Sequence, residues 1–305
     1  IGDKRWAIAL VDAILDWKTQ SGAKISIFTW LTIDLFRWPT LMKKMRQAGF
    51  SIIFIGIESV NRDSLIESAK IQNLKGLSDA VLHIQSFGFI IVPGFVFGFD
   101  ADPPTIFTDT LHFIENNGLI GGDPSFLTAL PGTPLYQNLE AANRLASRDL
   151  VTVRKKIETN IRYLHDSRQM IQGFLAFVRL YSNGGFQGRR FLNHLDTIAH
   201  STNYVEPDSI GYGSPLAYLL LQVRNWENLK MLLRRIFFLI SRRENIVAIL
   251  KAWLRLRKLS RTRKGMPIHF RYWLYAWTNI ALKYAHLSEQ DFGLASVVNE
   301  NERAR

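Results

Sequence analysis

Cysteine is absent from all 305 residues of the chain. Without thiols the chain can form no disulfide framework and no thiolate-ligated metal site of its own. Seven histidines are present, but no two of them are four residues apart and none lies in an H-E-x-x-H pattern. The sequence therefore predicts no metal ligands in this chain.

Long apolar runs are also missing. The longest, such as LAYLLLQV and IFFLI, are far shorter than the roughly 20 residues that a membrane-spanning helix needs. No secretory signal opens the chain, which begins IGDKRW without an initiator Met. These features predict a cytoplasmic location, with peripheral membrane contact as an option, and a chain that is the C-terminal part of a longer protein.

Acidic residues are scarce relative to basic ones in the second half of the chain. Residues 1–150 carry a net charge of −2 and residues 151–305 a net charge of +14. Residues 224–264 alone hold thirteen Lys and Arg against two Glu, and Trp226 and Trp253 lie among them. This basic segment is open to three interpretations: a solvated helical face, contact with anionic lipid headgroups, or nucleic-acid binding, which ranks below the lipid contact.

The first 150 residues alternate between amphipathic helices and apolar strands. Leu10, Ala13, Ile14 and Trp17 have the spacing of one helical face over residues 4–20, and strands start near residues 24, 51, 89 and 124. Near-continuous apolar strands separated by helices predict a parallel sheet covered by helices. A barrel, a partial barrel and an open doubly wound sheet all fit, although no G-x-G-x-x-G follows the first strand.

Residues 151–305 are predicted to be helical throughout and to form a second, basic domain. Long amphipathic helices are predicted over 163–180 and 229–240, and a further one around 246–258. The domain boundary is therefore placed at residue 150.

Four predicted strands end in short stretches where functional groups of a parallel βα barrel usually lie. These stretches are residues 29–32, 56–59, 94–100 and 131–134. Glu58 stands out, because a carboxylate that ends an apolar strand is expected to be paired or in use. Helix capping is the competing explanation for Ser59 or Asn61, for Asp102 before Pro103 and for Thr133 before Pro134.

Three segments, in order, resemble the barrel of radical S-adenosylmethionine enzymes. They are LMKKMRQAGFSIIFIGIESVNRDSLIESAKIQN, GFVFGFDADPPTIF and LPGTPLYQNLEAANRL. The similarity is greatest to the cobalamin-binding subfamily, whose barrel is followed by a helical domain that ETNIRYLHDSRQMIQGFLAFVRLYS resembles. This resemblance implies an α/β fold, namely a partial TIM-like (βα) barrel over residues 1–150 followed by an all-α C-terminal domain.

The resemblance also implies which residues bind the cofactor. Glu58 and Ser59 would lie at the ribose and methionine end of S-adenosylmethionine. Gly94 and Gly98 match the glycine-spaced strand whose backbone passes the adenine, and Asp100 lies close to the acidic position of that motif.

A further part of the implied site follows the fourth strand. Pro131, Gly132 and Thr133 match the loop after the sixth strand of the family's barrel, near adenine or substrate. Lys70 and Asn73 match a recurrent K-x-Q-N with no assigned role. Trp30 departs from the family, since a polar or acidic residue is expected there.

The largest departure is the missing cluster motif. The family holds a [4Fe–4S] cluster with Cys-x3-Cys-x2-Cys, so the resemblance implies that the cluster and cobalamin belong to a part upstream of this chain. It also implies that this chain alone is inactive and holds no catalytic residue. The implied function is the C-terminal part of a cobalamin-type radical S-adenosylmethionine enzyme, a C-methyltransferase on an organic or lipid-like small molecule. The alternative is a non-catalytic binding or scaffold protein on a degenerate barrel.

Overall fold

The computed structural model describes residues 3–68, 76–146, 156–207 and 225–298. Lys70 and Asn73, which were matched to the K-x-Q-N motif, lie outside these ranges. The same is true of residues 147–155, which include the predicted domain boundary. Within the described residues, no helix combines the length and the hydropathy needed to cross a lipid bilayer.

Four parallel strands form the central sheet, in the order in which they occur in the chain. They are β1 (Ile27–Leu31), β2 (Phe50–Glu58), β3 (Ile90–Phe97) and β4 (Asp123–Phe126). Phe54 of β2 lies opposite Trp30 of β1 and Val92 of β3 in the register. The predicted α/β class with a parallel sheet is confirmed.

Helices connect these strands, as the alternating pattern predicted. They are α1 (Lys4–Ser21), α2 (Pro39–Ala48), α3 (Arg62–Glu67), α4 (Leu77–Ser86), α5 (Ile106–Asn116) and α6 (Pro134–Ala141), with a 3-10 turn at Ile33–Arg37. Gly49 ends α2 with a φ of 106°. A Cβ on Gly49 would lie 2.7 Å from the carbonyl oxygen of Ile25, so only glycine fits at this close crossing.

The inward face of α1 differs from the predicted one. Leu10 and Trp17 are 41% and 50% exposed, whereas Val11 is buried. Lys18 is also nearly buried, with its Nζ donating to the carbonyl of Gln47 at 2.6 Å. The helix was predicted correctly, but of that face Ile14 packs against the core while Leu10 and Trp17 are exposed.

The two faces of the sheet have different surroundings. Side chains alternate along a strand, and Ile53, Ile55 and Ile57 of β2 are fully buried on the face covered by helices. On the opposite face Trp30 is 67% exposed and Phe54 is partly buried. The sheet therefore has one face covered by helices and a second face that is accessible at Trp30.

The C-terminal half is helical, with one addition that the sequence analysis missed. Its helices are α7 (Ser167–Tyr181), α8 (Gly184–Ala199), α9 (Trp226–Ile240), α10 (Arg243–Leu259) and α11 (Met266–Lys283). The addition is a parallel two-stranded sheet of β5 (Ile157–Tyr163) and β6 (Phe292–Ser296). Helix α7 begins at Ser167, four residues later than predicted, because Asp166 caps it by accepting from the Gln169 amide at 2.8 Å.

Two core clusters join the halves of the chain. In one, Phe174 and Phe177 of α7 contact Phe97 of β3, with ring centroids 6.3 and 5.3 Å apart. In the other, Ile52 and Ile90, near the amino ends of their strands, join α8, α10 and α11. Helices α8, α10 and α11 thus pack near the amino ends of the strands, whereas α7 packs against the carboxyl end of β3. A boundary at residue 150 stays a prediction.

Candidate functional site

The end of β2 has a backbone geometry that is unusual for its sequence. Glu58 has a φ of 68°, and the pairing of β2 with β3 shifts between Gly56 and Glu58. A non-glycine residue at positive φ is strained, and such positions cluster at functional sites. The Ser59 amide donates to the Ile57 carbonyl at 3.0 Å, which fixes the turn around Glu58.

Ser59 is buried beneath this turn. It is 2% exposed, and its Oγ accepts from the Asn61 amide at 3.1 Å. The Asn61 side chain donates to Ser64 Oγ at 2.9 Å and to the Ala101 carbonyl at 2.8 Å. Neither Ser59 nor Asn61 caps α3, because no side chain accepts a hydrogen bond from the backbone amides at the N-terminus of that helix. Asn61 instead ties the end of β2 to the loop after β3.

The loop after β3, residues 98–102, is organised around Asp102. One carboxylate oxygen accepts from the amides of Gly98 at 2.8 Å and Phe99 at 3.1 Å, and the other accepts from Ser64 Oγ at 2.6 Å. The predicted N-cap role of Asp102 is wrong, because α5 starts at Ile106 with Thr105 before it. Burial raises the pKa of the Asp102 carboxyl, against the lowering effect of its three donors.

A second carboxylate supports the same loop from α3. Glu67 accepts from the amides of Asp100 at 3.2 Å and Ala101 at 3.1 Å. Desolvation raises the pKa of Glu67, and the nearby carboxylates of Asp100 and Asp102 add to that rise. The loop thus directs its backbone amides toward carboxylates of this chain.

Asp100, a predicted cofactor-binding residue, forms an ion pair. Arg144 donates to its two oxygens at 2.5 and 2.7 Å, and this bidentate contact raises the pKa of Arg144. Arg144 also donates from Nε to the Arg162 carbonyl at 3.0 Å. Any ligand that uses the Asp100 carboxylate would have to share it with this guanidinium.

Gly94 in β3 and Gly98 just after it have packing reasons of their own. A Cβ on Gly94 would lie 2.7 Å from the ring of Phe54, which covers this position. Gly98 has a φ of 99°, and its Cβ would lie 2.6 Å from the ring of Tyr163. The Tyr163 hydroxyl in turn donates to the Leu127 carbonyl at 2.6 Å. Close side chains therefore account for both glycines without a ligand.

The loop after β4 carries the remaining predicted site residues. Thr133 caps α6 by accepting from the Tyr136 amide at 3.2 Å, so the capping explanation holds for its hydroxyl. Pro131 and Gly132 are exposed, and Gly132 has a φ of 82° with open space where a Cβ would stand. Asn160 of β5 holds this loop through both backbone groups of Ala129, at 3.0 and 2.8 Å.

These loops lie at the carboxyl edge of the sheet. Hydrogen bonds join the ends of β2 and β3 through Asn61 and Ser64. The end of β4 is tied to β3 by the Leu127 amide, which donates to the Phe97 carbonyl at 2.8 Å. Sequence reasoning missed Glu67, Arg144 and Asn160 as parts of this edge. Glu67 does have a local signal, since its spacing from Ser64 is that of a capping box.

The chain is similar in sequence to several curated methyltransferases, although no protein-family model matches it. Hopanoid C-2 methylase of Rhodopseudomonas palustris (strain TIE-1) is 28% identical over 172 residues, which is 56% of this chain and 32% of that protein. Uncharacterized methyltransferase sll1242 of Synechocystis sp. is 26% identical over 193 residues, 63% of this chain and 36% of that protein. Bacteriochlorophyllide d C-12(1)-methyltransferase of Chlorobaculum tepidum is 29% identical over 111 residues, 36% of this chain and 24% of that protein.

Solved structures give a more distant likeness. Two structures of the cobalamin-dependent S-adenosylmethionine radical enzyme OxsB align with 93% and 97% of this chain and with 46% and 48% of their own chains, at a TM-score of 0.40 and 14% and 15% identity. One holds aqua-cobalamin and S-adenosylmethionine and the other aqua-cobalamin. The chain spans 24–36% of the length of the curated relatives above. The names of these curated relatives confirm the methyltransferase theme of the predicted resemblance.

Proposed function

We propose that this chain, which resembles the cobalamin-binding radical S-adenosylmethionine enzymes, forms the cofactor-binding C-terminal part of a barrel that methylates a lipid-like organic substrate. The observation that carries the proposal is the carboxyl edge of the parallel sheet. There Glu58, the loop 98–102 and the loop after β4 adjoin a sheet face that is accessible at Trp30. Sequence similarity to three methyltransferases supports the same reaction class.

S-adenosylmethionine fits the residue types at this edge. Its ribose hydroxyls and its ammonium group are donors, and the Glu58 carboxylate at the strand end is an acceptor. Its adenine is a flat aromatic base whose faces can stack on other rings, and Phe54 and Trp30 give the accessible sheet face an aromatic lining. In this arrangement Glu58 binds and orients the cofactor, while Asp102 and Glu67 hold the neighbouring loop in place.

The [4Fe–4S] cluster does not fit the residues of this chain. The sequence contains no cysteine, and no three His, Asp or Glu side chains in the described parts of the chain could hold a metal ion together. Under the proposal, the cluster ligands and the cobalamin site belong to residues outside this sequence. The residues of this chain supply binding, orientation and exclusion of water, and no redox step is assigned to them.

The proposed substrate class follows from two relatives. Their names specify a hopanoid and a bacteriochlorophyllide, which are large and mostly apolar ring compounds. An accessible sheet face with the exposed Trp30 and the partly buried Phe54 and Val92 suits a substrate of that character. Trp30, unexpected at a polar position of the family, is then part of an apolar substrate wall.

The proposed function is tested with the full open reading frame that contains this sequence. The protein is reconstituted anaerobically with iron, sulfide and hydroxocobalamin, and then given a chemical reductant, S-adenosylmethionine with a labelled methyl group and a lipid extract of the source organism. We expect label in the extracted lipid, and iron and sulfide bound to the longer polypeptide but not to residues 1–305 alone. A tight cluster on residues 1–305, or label confined to water-soluble products, would contradict the proposal.

Replacing Glu58 by glutamine should weaken S-adenosylmethionine binding about tenfold, because one charge-assisted hydrogen bond is lost. Glutamine keeps the size of the side chain and the same backbone requirement, so the unfolding midpoint should not change. Equilibrium dialysis on the reconstituted longer polypeptide measures the affinity. The matched control is Glu140→Gln on α6, an exposed carboxylate away from the end of β2. Equal affinity of Glu58→Gln and the parent would remove Glu58 from the site.

A further inference from the structure

Helix α9 presents an apolar face to solvent. The exposed members are Trp226, Leu233, Ile236, Phe237 and Ile240, which we call the α9 face. Their positions follow the helical spacing i, i+7, i+10, i+11 and i+14, so they lie on one side of the helix. Trp226 and Phe237 are 72% and 70% exposed, and no residue of α9 is buried. A contiguous apolar surface of this kind marks an interaction site.

Basic side chains border the α9 face. Lys230 and Arg234 are exposed and lie next to Trp226 and Phe237 around the helix, four and three residues from them. No ion pair to either is recorded within the described ranges. The partly buried side of the helix carries Leu232, and Leu239 packs against the second core cluster. The helix therefore has an inner side that fixes it to the protein and an outer side that is apolar with a cationic border.

Helix α10 repeats this arrangement. Its exposed apolar residues Ile246, Leu250, Trp253 and Leu254 share one side, which we call the α10 face. Lys251 and Lys258 lie beside this face on the helix, and the Arg257 guanidinium lies 5.4 Å from the Trp253 ring centroid. The opposite side is anchored by Ala248, Ala252 and Leu256 in the second core cluster.

A cleft beside the α10 face is also basic. It has a volume of about 870 Å³ and lies between α8 and α10. Its lining includes Arg189, Arg242, Arg243 and Lys251, with Glu244 as the acidic member. Arg189 is held by Glu115 at 2.6 Å, which leaves the lining cationic overall. Phosphate groups near the α10 face would find cationic partners here.

We infer that the α9 and α10 faces dock on an anionic lipid bilayer, with the apolar side chains in the headgroup region and the lysines and arginines at the phosphates. Charge complementarity selects this partner, because residues 224–264 hold thirteen Lys and Arg against two Glu. Exposed Trp and Phe bordered by Lys and Arg are typical of helices that lie in a membrane interface. Nucleic acid would use the charge but would leave the aliphatic residues of both faces in water. The inference does not rest on the proposed enzymatic function.

The test is sedimentation of residues 1–305 with vesicles. One set is phosphatidylcholine alone, and the other contains about one third phosphatidylglycerol, a proportion chosen to give a clearly negative surface. We expect at least tenfold stronger binding to the anionic vesicles at low salt, and a measurable remainder at high salt from the apolar contacts. Equal binding to both sets, or complete release by salt together with tight binding to duplex DNA, would overturn the inference.

Two variants separate the apolar contribution from the charge. Trp226→Ser with Phe237→Ser should remove the salt-resistant binding, and Lys230→Gln with Arg234→Gln should lower binding about tenfold or more at low salt only. The matched control is Trp6→Ser on α1, which removes a tryptophan of similar exposure elsewhere. All three are surface changes, so far-UV circular dichroism should be unchanged. A control variant that lowers binding as much as the α9 variants would overturn the inference. So would a stable dimer in which Trp226 is shielded from quenchers.

Discussion

Replacing Asp102 by alanine should lower the free energy of unfolding by about 3 kcal/mol at neutral pH. The Asp102 carboxylate is 6% exposed and accepts three hydrogen bonds, from two backbone amides and the Ser64 hydroxyl. Alanine removes the acceptor and leaves these donors without their partner beneath the loop after β3. Urea unfolding followed by tryptophan fluorescence measures the change.

Asp109→Ala is the matched control for this prediction. Asp109 is exposed in the first turn of α5 and accepts one bond from Thr105 at 2.7 Å. Its removal should cost less than about 1 kcal/mol, as for most surface contacts. The loss of unfolding free energy for Asp102→Asn should fall between those of Asp102→Ala and Asp109→Ala. The asparagine keeps one oxygen that can accept hydrogen bonds, whereas the carboxylate has two. A cost below about 1 kcal/mol for Asp102→Ala would show that water replaces the carboxylate, and would contradict the role assigned to it.

The ends of the strands were predictable because their signal is local. Apolar runs that stop at Glu58 or before Asp100 mark the carboxyl edge of a parallel sheet from sequence alone. The positive φ of Glu58 was not predictable, since no glycine or asparagine signals it. It depends on the register shift between β2 and β3, which is a property of the assembled sheet.

The partners of the loop residues were not predictable because they are distant in sequence. Arg144 reaches Asp100 across 44 residues, and Glu67 reaches the Asp100 amide across 33. A carboxylate next to a proline, as at Asp102, has the same local pattern whether it caps a helix or holds a loop. Only the position of α3 beside that loop decides between these roles. The segment of β5 does have a strand pattern, since Thr159, Ile161 and Tyr163 alternate with more exposed residues. The strand was missed because the long helix that follows it was predicted to begin already at Tyr163.

Two buried histidines should make the protein unstable in mild acid. His194 and His269 are both fully buried, and their rings share a hydrogen bond of 2.8 Å between Nε2 of His194 and Nδ1 of His269. His194 Nδ1 also contacts Gln85 Oε1 at 2.6 Å. Burial lowers the pKa of His194 to about 3 and holds the pKa of His269 well below its usual value. The positive charge of Arg46 adds to the lowering at His269.

The sign of the effect follows from proton binding. In the unfolded chain both histidines titrate near pH 6.5, whereas in the folded protein both stay neutral, so below that pH the unfolded state binds more protons. The two histidines therefore do not lower the free energy of unfolding above about pH 7.5, and they lower it increasingly as the pH falls. Between pH 7.5 and 5.5 each lowers the free energy of unfolding by about 1.4 kcal/mol, or about 3 kcal/mol for the pair.

Urea unfolding at pH 7.5, 6.5 and 5.5 measures this loss, and the slope at pH 6 should correspond to an uptake of about 1.5 protons by the two histidines. His200→Gln, which replaces an exposed histidine outside the pair, is the matched control. His194→Gln with His269→Gln should be less stable at pH 7.5, yet its stability should vary much less with pH, since neither glutamine titrates. If the double variant does not fold, proton uptake on unfolding of the parent protein decides the question. A parent protein that is equally stable at pH 7.5 and 5.5 would show that the pair accepts a proton in the folded state.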